Sequence, residues 1–420
     1  MIDLKKFREN YEWYIKKTEE KGIKLDFPKF MAMDLQLKQI KFELDNLNQE
    51  RNEISKEIPN LKKEGKDTEN LVNKVKDLKS EIEDKQKKYN EIYNDFYEIY
   101  IRIPNPAFDD VHIGKSDEEN KVAYYVGEKP KFNFEPLAHY ELLEKRDMLD
   151  QGRSAKVSGS RFYYIKDGLV RLELALISYT IDKLSKKGFR PIIGPNLVRY
   201  NSMLSTGFFP AEKNEIYTVN PDEDDLYLIG TSEVTMIAQH MDEILDVDKL
   251  PLRYVSFSPC YRREAGTYGK DSKGMIRVHQ FEKVEMVSFT KPEDSIKEHE
   301  LIYEIEEEIV KELGLHCQKI DICTGDLGFH AAKKYDLEAW FPGLTTYKEI
   351  TSCSNCTDFQ SRRAKIKMKD EKSKDFVHTL NGTAIALARI MACIVENYQT
   401  KDMKIEVPEV LKKYIGEEYL

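Results

Sequence analysis

Between Phe30 and Leu61, apolar residues stand at Phe30, Met33, Leu37, Ile40, Leu44, Leu47, Ile54, Ile58 and Leu61. The steps alternate between three and four, and Arg51 holds the one seam position that is not apolar. A second run repeats the pattern at Leu71, Val75, Leu78, Ile82, Tyr89, Ile92, Phe96, Ile99 and Ile103, with Lys85 as its exception. Alternating three- and four-residue steps keep one stripe of each helix facing a partner, which is the seam of a coiled coil. The linker "KKEGKD" around Gly65 is long enough only for a reversal, so the two helices are expected to pack antiparallel. Pro59 is expected to kink or end the first helix just before the tip. An arm of about 32 residues reaches roughly 48 Å. Taken alone, such an arm suits a dimerisation or spacer coil. Lys62, Lys63 and Lys66 at its tip also allow RNA binding.

The arm accounts for under a fifth of 420 residues, leaving room for a second domain with a large core. A formal net charge of -9 gives no chain-wide attraction for nucleic acid, so any such contact must use local basic clusters. No apolar run approaches the roughly 18 residues of a membrane span, and the amino terminus lacks a signal-peptide core. Six scattered cysteines suit a reducing, cytoplasmic setting. Cys353 and Cys356 form the one C-x2-C pair. A structural zinc needs four ligands and no second pair exists, so no zinc is expected and both thiols should be buried in a strand or turn.

Pro104-Asn105-Pro106 should end the second helix. The texture then changes to aromatic and β-branched runs alternating with helices, as in "DLYLIGTSEV", "LRYVSFSPCYRRE" and "IRVHQFEKVEMVSF". That pattern predicts an α+β domain on an antiparallel sheet flanked by helices. Neither G-x-G-x-x-G after a strand nor a P-loop is present. The domains are drawn at 1–105, with the hairpin at about 29–103, and 106–420.

The stretch 261–285, "YRREAGTYGKDSKGMIRVHQFEKVE", reads either as a surface hairpin or as a site. If it is a strand, a loop with Gly266, Gly269 and Gly274, and a return strand, then alternation aligns its faces. Arg262 and Glu264 share one face, and Arg277, His279, Phe281, Lys283 and Glu285 share another. Arginine forks suit phosphate, a phenyl ring suits a base, and carboxylates suit an exocyclic amine or an ammonium. "GTSEV" adds Thr231, Ser232 and Glu233 at a strand end. "NGTAIALARIMACIVENYQ" places Asn381, Thr383 and Arg389 on a turn and the helix after it.

"KKGFRPIIGP", "YRREAG…IRVHQFEKVE" and "NGTAIALARIMA" resemble, in order, the three signature motifs of class II aminoacyl-tRNA synthetases. With "RENYE", "IPNP", "AKVSGSRFYYIK", "YDLEAWFPG" and "CSNCTDFQSRR", the set most closely resembles the bacterial-type seryl-tRNA synthetase family, essentially end to end. The resemblance implies a tRNA-binding coiled-coil arm and a class II catalytic domain. It also implies a cytoplasmic homodimer, with Pro195 at the interface.

Its implied reaction joins L-serine to tRNA(Ser), and to tRNA(Sec), using ATP and Mg²⁺. ATP falls to Arg262, Arg263, Glu264, Arg277, Val278, Phe281, Glu349, Ile350, Thr351, Ser352 and Arg389. Within that set Arg262 and Arg389 are the catalytic pair, and Glu349 and Ser352 meet Mg²⁺ through ATP. Serine falls to Thr231, Ser232, Glu233, Arg262, Glu285 and Thr383. Thr351 replaces a serine common in the family but keeps its hydroxyl, and Pro59 lies where the family's arm is ordinarily continuous. Two rivals remain: a ligase that loads a carrier protein, which the long arm disfavours, and a non-catalytic relative, which the intact arginines disfavour.

Overall fold

Two short helices, α1 (Leu4–Glu9) and α2 (Tyr11–Glu20), precede the hairpin of α3 (Phe27–Lys63) and α4 (Glu69–Tyr100). The computed structural model describes residues 1–265, 273–369 and 374–420. They form two units: the hairpin, Ile23–Ile103, and a body of Met1–Gly22 with Pro104–Leu420.

In the hairpin, Asp26 caps α3 by accepting from the Lys29 amide at 2.9 Å, and Pro28 sits in the first turn, where its missing N–H costs nothing. Phe30, Met33, Leu37, Ile40, Leu44 and Ile54 bury on one side, Leu78 and Phe96 on the other. Phe30 stacks on Phe96 with centroids 4.6 Å apart. Lys85, the polar residue in the second seam, reaches Glu43 of α3 at 2.7 Å. Of the two outcomes expected at Pro59, ending the helix is excluded: α3 runs on to Lys63. Proline removes one bond to the carbonyl four residues back. Ser55 and Pro59 are both exposed, so water can satisfy that carbonyl. The reversal comes at Gly65, whose φ of +72° is open to glycine without strain.

The body is built on an eight-stranded sheet. Its strands in chain order are β1 (Lys121–Val126), β2 (Arg190–Ile192), β3 (Leu252–Tyr261), β4 (Gln280–Thr290), β5 (Cys317–Asp321), β6 (Lys333–Phe341), β7 (Thr346–Asn355) and β8 (His378–Ala386). Across the sheet they run β1-β5-β6-β7-β8-β4-β3-β2. All pairings are antiparallel except that of β2 with β3. Three helices cover one face: α5 (Gly168–Lys186), α7 (Ser295–Glu312) and, after the short α6 (Glu233–Ala238) and α8 (Phe359–Ala364), α9 (Leu387–Asn397). Leu172 and Leu176 of α5, Ile302 and Ile309 of α7, and Met391 and Ile394 of α9 share one core with Val284, Met286, Leu380 and Ala384 of the sheet. At Gly382 a Cβ would stand 2.3 Å from Ile302 Cγ2 and 2.7 Å from Glu306 Oε1. The "NGT" glycine is thus the point where α7 lies against β8.

Two expectations about facing are corrected. The ladder ends at Tyr261 and resumes at Gln280, so Arg262, Glu264, Arg277 and His279 lie beyond it and strand alternation does not orient them. Asn381 and Thr383 are interior to β8, paired with Ser354 and Glu285, and only Arg389 of that trio is on a helix. Turn-like composition (Asn-Gly-Thr) was overridden by pairing on both sides of the strand. Gly266 and Gly269 lie outside the described residues.

Candidate active site

The sheet face away from the helices opens into a cavity of about 450 Å³. Phe281, Lys283 and Glu285 of β4 line it, because their neighbours Val284 and Met286 point into the core and side chains alternate. Thr383 enters from β8, opposite Glu285.

At one group of contacts, the Lys283 ammonium lies 2.5 Å from Glu285 Oε2, and the Thr383 hydroxyl donates to the same oxygen at 3.1 Å. Burial pushes the Glu285 carboxyl up, and Lys283 opposes that. Glu233, first residue of α6, accepts from Gln360 Nε2 at 2.7 Å and from Asn381 Nδ2 at 3.0 Å. Burial raises its pKa as well. Thr231, just before α6, lines the cavity with them. The result is a buried basin with two carboxylates, one ammonium, a hydroxyl and an amide. It suits a small molecule carrying an ammonium and a hydroxyl.

At the other, Arg262 spans the two regions: its Nε donates to the Gly230 carbonyl at 3.3 Å and its guanidinium lies 5.4 Å from the Phe281 ring centroid. Arg277 pairs with Glu264 at 3.0 Å, and Glu264 holds a left-handed φ of +50°, an uncommon conformation outside glycine. Arg389 of α9 donates to the Glu349 carbonyl at 2.9 Å and to its carboxylate at 3.0 Å. Burial works against charge on Glu349, yet Arg389, Lys334 and Arg262 together hold its carboxyl below the usual range. Guanidinium groups flanking an aromatic plate form a surface for a nucleoside polyphosphate.

Val278, Ile350 and Ser352 also line the cavity, so most of the expected site residues meet there. A shift in the pairing of β6 with β7 between Leu337 and Glu338 puts Ile350 opposite no residue, letting both Glu349 and Ser352 reach the cavity. Three expected residues are not in its lining. Thr351 turns to the helical face, donating to Glu306 at 2.9 Å; Ser232 is buried beside the site with no partner for its Oγ; and Arg263 borders it, its amide bonded to the Glu215 carbonyl. Lys283 was placed on the site face by alternation, but its pairing with Glu285 was not foreseen; His330, Lys334, Glu212 and Gly328 as wall residues carry no motif signal, since distant segments supply them.

All six cysteines are free and buried, as expected of Cys353 and Cys356. Among the described residues, Glu233, His330 and Cys356 have potential metal-ligand atoms within 4.8 Å of one another. Cys353 is not among them. Glu233 there already accepts two amide hydrogens, and burial holds the Cys356 thiol protonated.

Residues 1–107 match the seryl-tRNA synthetase N-terminal domain and residues 217–398 the class II core domain of the G, H, P, S and T synthetases. A serine--tRNA ligase of Fervidobacterium nodosum is 41% identical over 99% of this chain and 98% of its own length. The chain belongs to the seryl-tRNA synthetase family. Among solved structures, the Pyrococcus horikoshii seryl-tRNA synthetase complexed with ATP is 38% identical with a TM-score of 0.91, covering 100% of this chain and 99% of that one. The cytoplasmic serine-tRNA ligase of Naegleria fowleri in complex with AMP is 32% identical with a TM-score of 0.87, covering 100% and 98%. As a class II seryl-tRNA synthetase, this enzyme has an antiparallel-dominant sheet flanked by helices and a long N-terminal helical arm.

Proposed function

We propose that the enzyme attaches L-serine to tRNA(Ser) in two steps, and serves tRNA(Sec) in the same way. The observation that carries this reading is the basin of Lys283, Glu285, Thr383 and Glu233 adjoining the Arg262–Phe281 plate in one cavity. Serine's ammonium is received by the carboxylates and its hydroxyl by the polar groups around Thr231, Glu285 and Thr383. ATP lies over Phe281, with Glu264 toward adenine and Arg262, Arg277 and Arg389 toward the phosphates.

In the first step a serine carboxylate oxygen attacks the α-phosphorus. A new P–O bond forms, the bond to the bridging oxygen breaks, and pyrophosphate leaves with the electron pair. The protein's part is alignment and stabilisation of developing charge by Arg262 and Arg389. In the second step the terminal ribose 3'-hydroxyl attacks the acyl carbonyl and AMP departs; no side chain is assigned as its base. Mg²⁺ fits the hard oxygen donors Glu349 and Ser352, since Arg389 keeps Glu349 ionised and Asp336 Oδ1 nearby is buried without a partner. When bound with ATP it neutralises triphosphate charge.

The domain division follows this reading: 1–105 serves tRNA and 106–420 the chemistry. The enzyme works as a cytoplasmic homodimer through the segment around Pro195, where Ile193 is 83% exposed. No helix among the described residues is long and apolar enough to cross a membrane. Alanine is rejected because buried polar groups would go unpaired, a discrimination that can reach roughly 10⁴. Pyrophosphate exchange measured with each of the twenty amino acids tests the reading. Exchange driven by serine alone is expected, and exchange driven by another amino acid, or by none, overturns it.

A further inference from the structure

The chain leaves the body for the hairpin just after Lys21 and returns at Pro104. Both departure points grip the same five-residue segment. Lys21 Nζ donates to the carbonyls of Gly328 at 2.8 Å and Ala331 at 2.6 Å. The Asn105 amide donates to the Phe329 carbonyl at 3.0 Å, and Asn105 Nδ2 donates to the His330 carbonyl at 2.9 Å. Phe108 takes the next carbonyl, that of Ala332, at 3.0 Å. Five consecutive carbonyls are therefore held by residues flanking the arm's two roots. Lys21 is buried and has no carboxylate within ion-pairing distance among the described residues; burial lowers its pKa to about 7, and its amino group, charged or neutral, is committed to this backbone as a donor.

The segment so held is a wall of the cavity, through Gly328 and His330. His330 Nε2 is 3.9 Å from Glu233 Oε1, and its Nδ1 is buried without a hydrogen-bond partner among the described residues. No short side-chain bond fixes that imidazole on the Nδ1 side. The Phe208 ring stacks against it with centroids 5.9 Å apart, and the backbone beneath it is held by Lys21 and Asn105.

We propose that Lys21 and Asn105 are positioning residues for the amino-acid basin, and that through the 328–332 segment a tRNA held on the hairpin alters how serine is bound beside Glu233. The proposal rests on the serine and tRNA reading above. A buried lysine on two carbonyls has little function if the segment needs only to be closed, because backbone or water could satisfy those groups. Placed two residues before the hairpin unit begins, it joins the covalent root of the arm to the wall of the site.

The test uses the full-length enzyme and serine-dependent pyrophosphate exchange, titrating serine with and without tRNA(Ser) lacking its 3'-terminal adenosine, which cannot be charged. The tRNA is expected to lower the wild-type KM for serine about threefold or more while leaving kcat nearly unchanged. Lys21→Met and Asn105→Leu are expected to retain exchange with a raised KM and to lose the response to tRNA. Lys17→Met, which breaks the neighbouring ion pair with Asp109 (2.8 Å) but touches no carbonyl of the segment, should keep the response. Equal responses in the wild type and both root variants would overturn the proposal, as would a wild-type KM indifferent to tRNA. Hydrogen exchange of the wild-type amides 328–332 gives a readout that needs no variant: slowing on tRNA addition is expected, and no change counts against the coupling. Loss of serine-dependent exchange in the wild type would instead strike the proposed function itself.

Discussion

Lys283 and Glu285 stand two residues apart on β4, both buried, with ammonium and carboxylate 2.5 Å apart inside the cavity. The basin thus holds a charge pair beside which, on the proposed reading, the serine zwitterion is bound. Removing either member leaves the other buried and alone, which costs more than the pair contributes. Glu285→Ala should lower kcat/KM for serine in pyrophosphate exchange by about 2–4 kcal/mol, roughly 30- to 1000-fold. ATP binding measured separately should change far less.

Lys283→Met should act differently. Burial already raises the Glu285 carboxyl, and losing the ammonium raises it further, so the acid retains its proton to higher pH. The acid limb of the activity–pH profile is expected to move up by about one unit or more. An unmoved limb would show that Lys283 does not set the charge of Glu285.

Gly382→Ala tests the packing behind the site. The new methyl would meet Ile302 and Glu306 of α7, and β8 pairs on both sides, so neither can yield freely. Denaturant unfolding should show a loss of about 1–3 kcal/mol, with serine KM rising because Thr383 is the next residue.

Much of this was legible in the chain, and for identifiable reasons. The hairpin could be read because its seam is local: every partner of Phe30 or Leu44 repeats at fixed steps. Phe281, Lys283 and Glu285 could be placed on one face because a strand has period two. Arg277 and Glu264 could not be oriented that way, since the ladder stops before them and Glu264 takes a left-handed turn. Thr351 was read as a cavity residue and faces α7, because the pairing shift at Ile350 reverses the alternation without changing composition. Pro59 does not end its helix, because its missing bond falls on the solvent side. Lys21 and His330 had no signal, and Asn105 was legible only as part of a helix stop, because these residues are joined across some 220 to 310 positions by contacts to carbonyls, which every residue possesses.

Replacing Leu47 to Leu78 by a short Gly-Ser turn tests the division of labour. The seam of α3 with α4 is satisfied within the hairpin, and the cavity residues all lie beyond Pro106. Serine-dependent exchange should stay near the full rate while seryl-tRNA formation is abolished. Charging at close to the full rate would make the arm a spacer.

Acid should destabilise the body through buried neutral histidines. His299 lies against Tyr335 with centroids 4.8 Å apart, and burial lowers its pKa to about 4 from an ordinary 6.5. His330 is lowered to the same region. Between pH 6.5 and 4 the unfolded chain binds more protons than the folded one, so stability is full above that window and falls as pH drops through it. Each histidine should contribute a loss of about 2–3 kcal/mol by pH 4. In denaturant titrations at several pH values, His299→Gln should flatten the slope of stability against pH. An unchanged slope would mean that His299 is charged in the folded state or exposed.

Strand β4 is read from both sides: Phe281, Lys283 and Glu285 answer to the cavity, Val284 and Met286 to the helical layer. A substitution there is judged either by a ligand or by a core, and little of it can drift silently. The hairpin is judged by a looser rule, since its seam asks only for apolar residues of suitable size at each step. Descent should therefore wear the two regions at different speeds. A lineage could reshape the grip of its arm one residue at a time, matching changes in its own tRNA, while the strand beneath the substrate stays as it was.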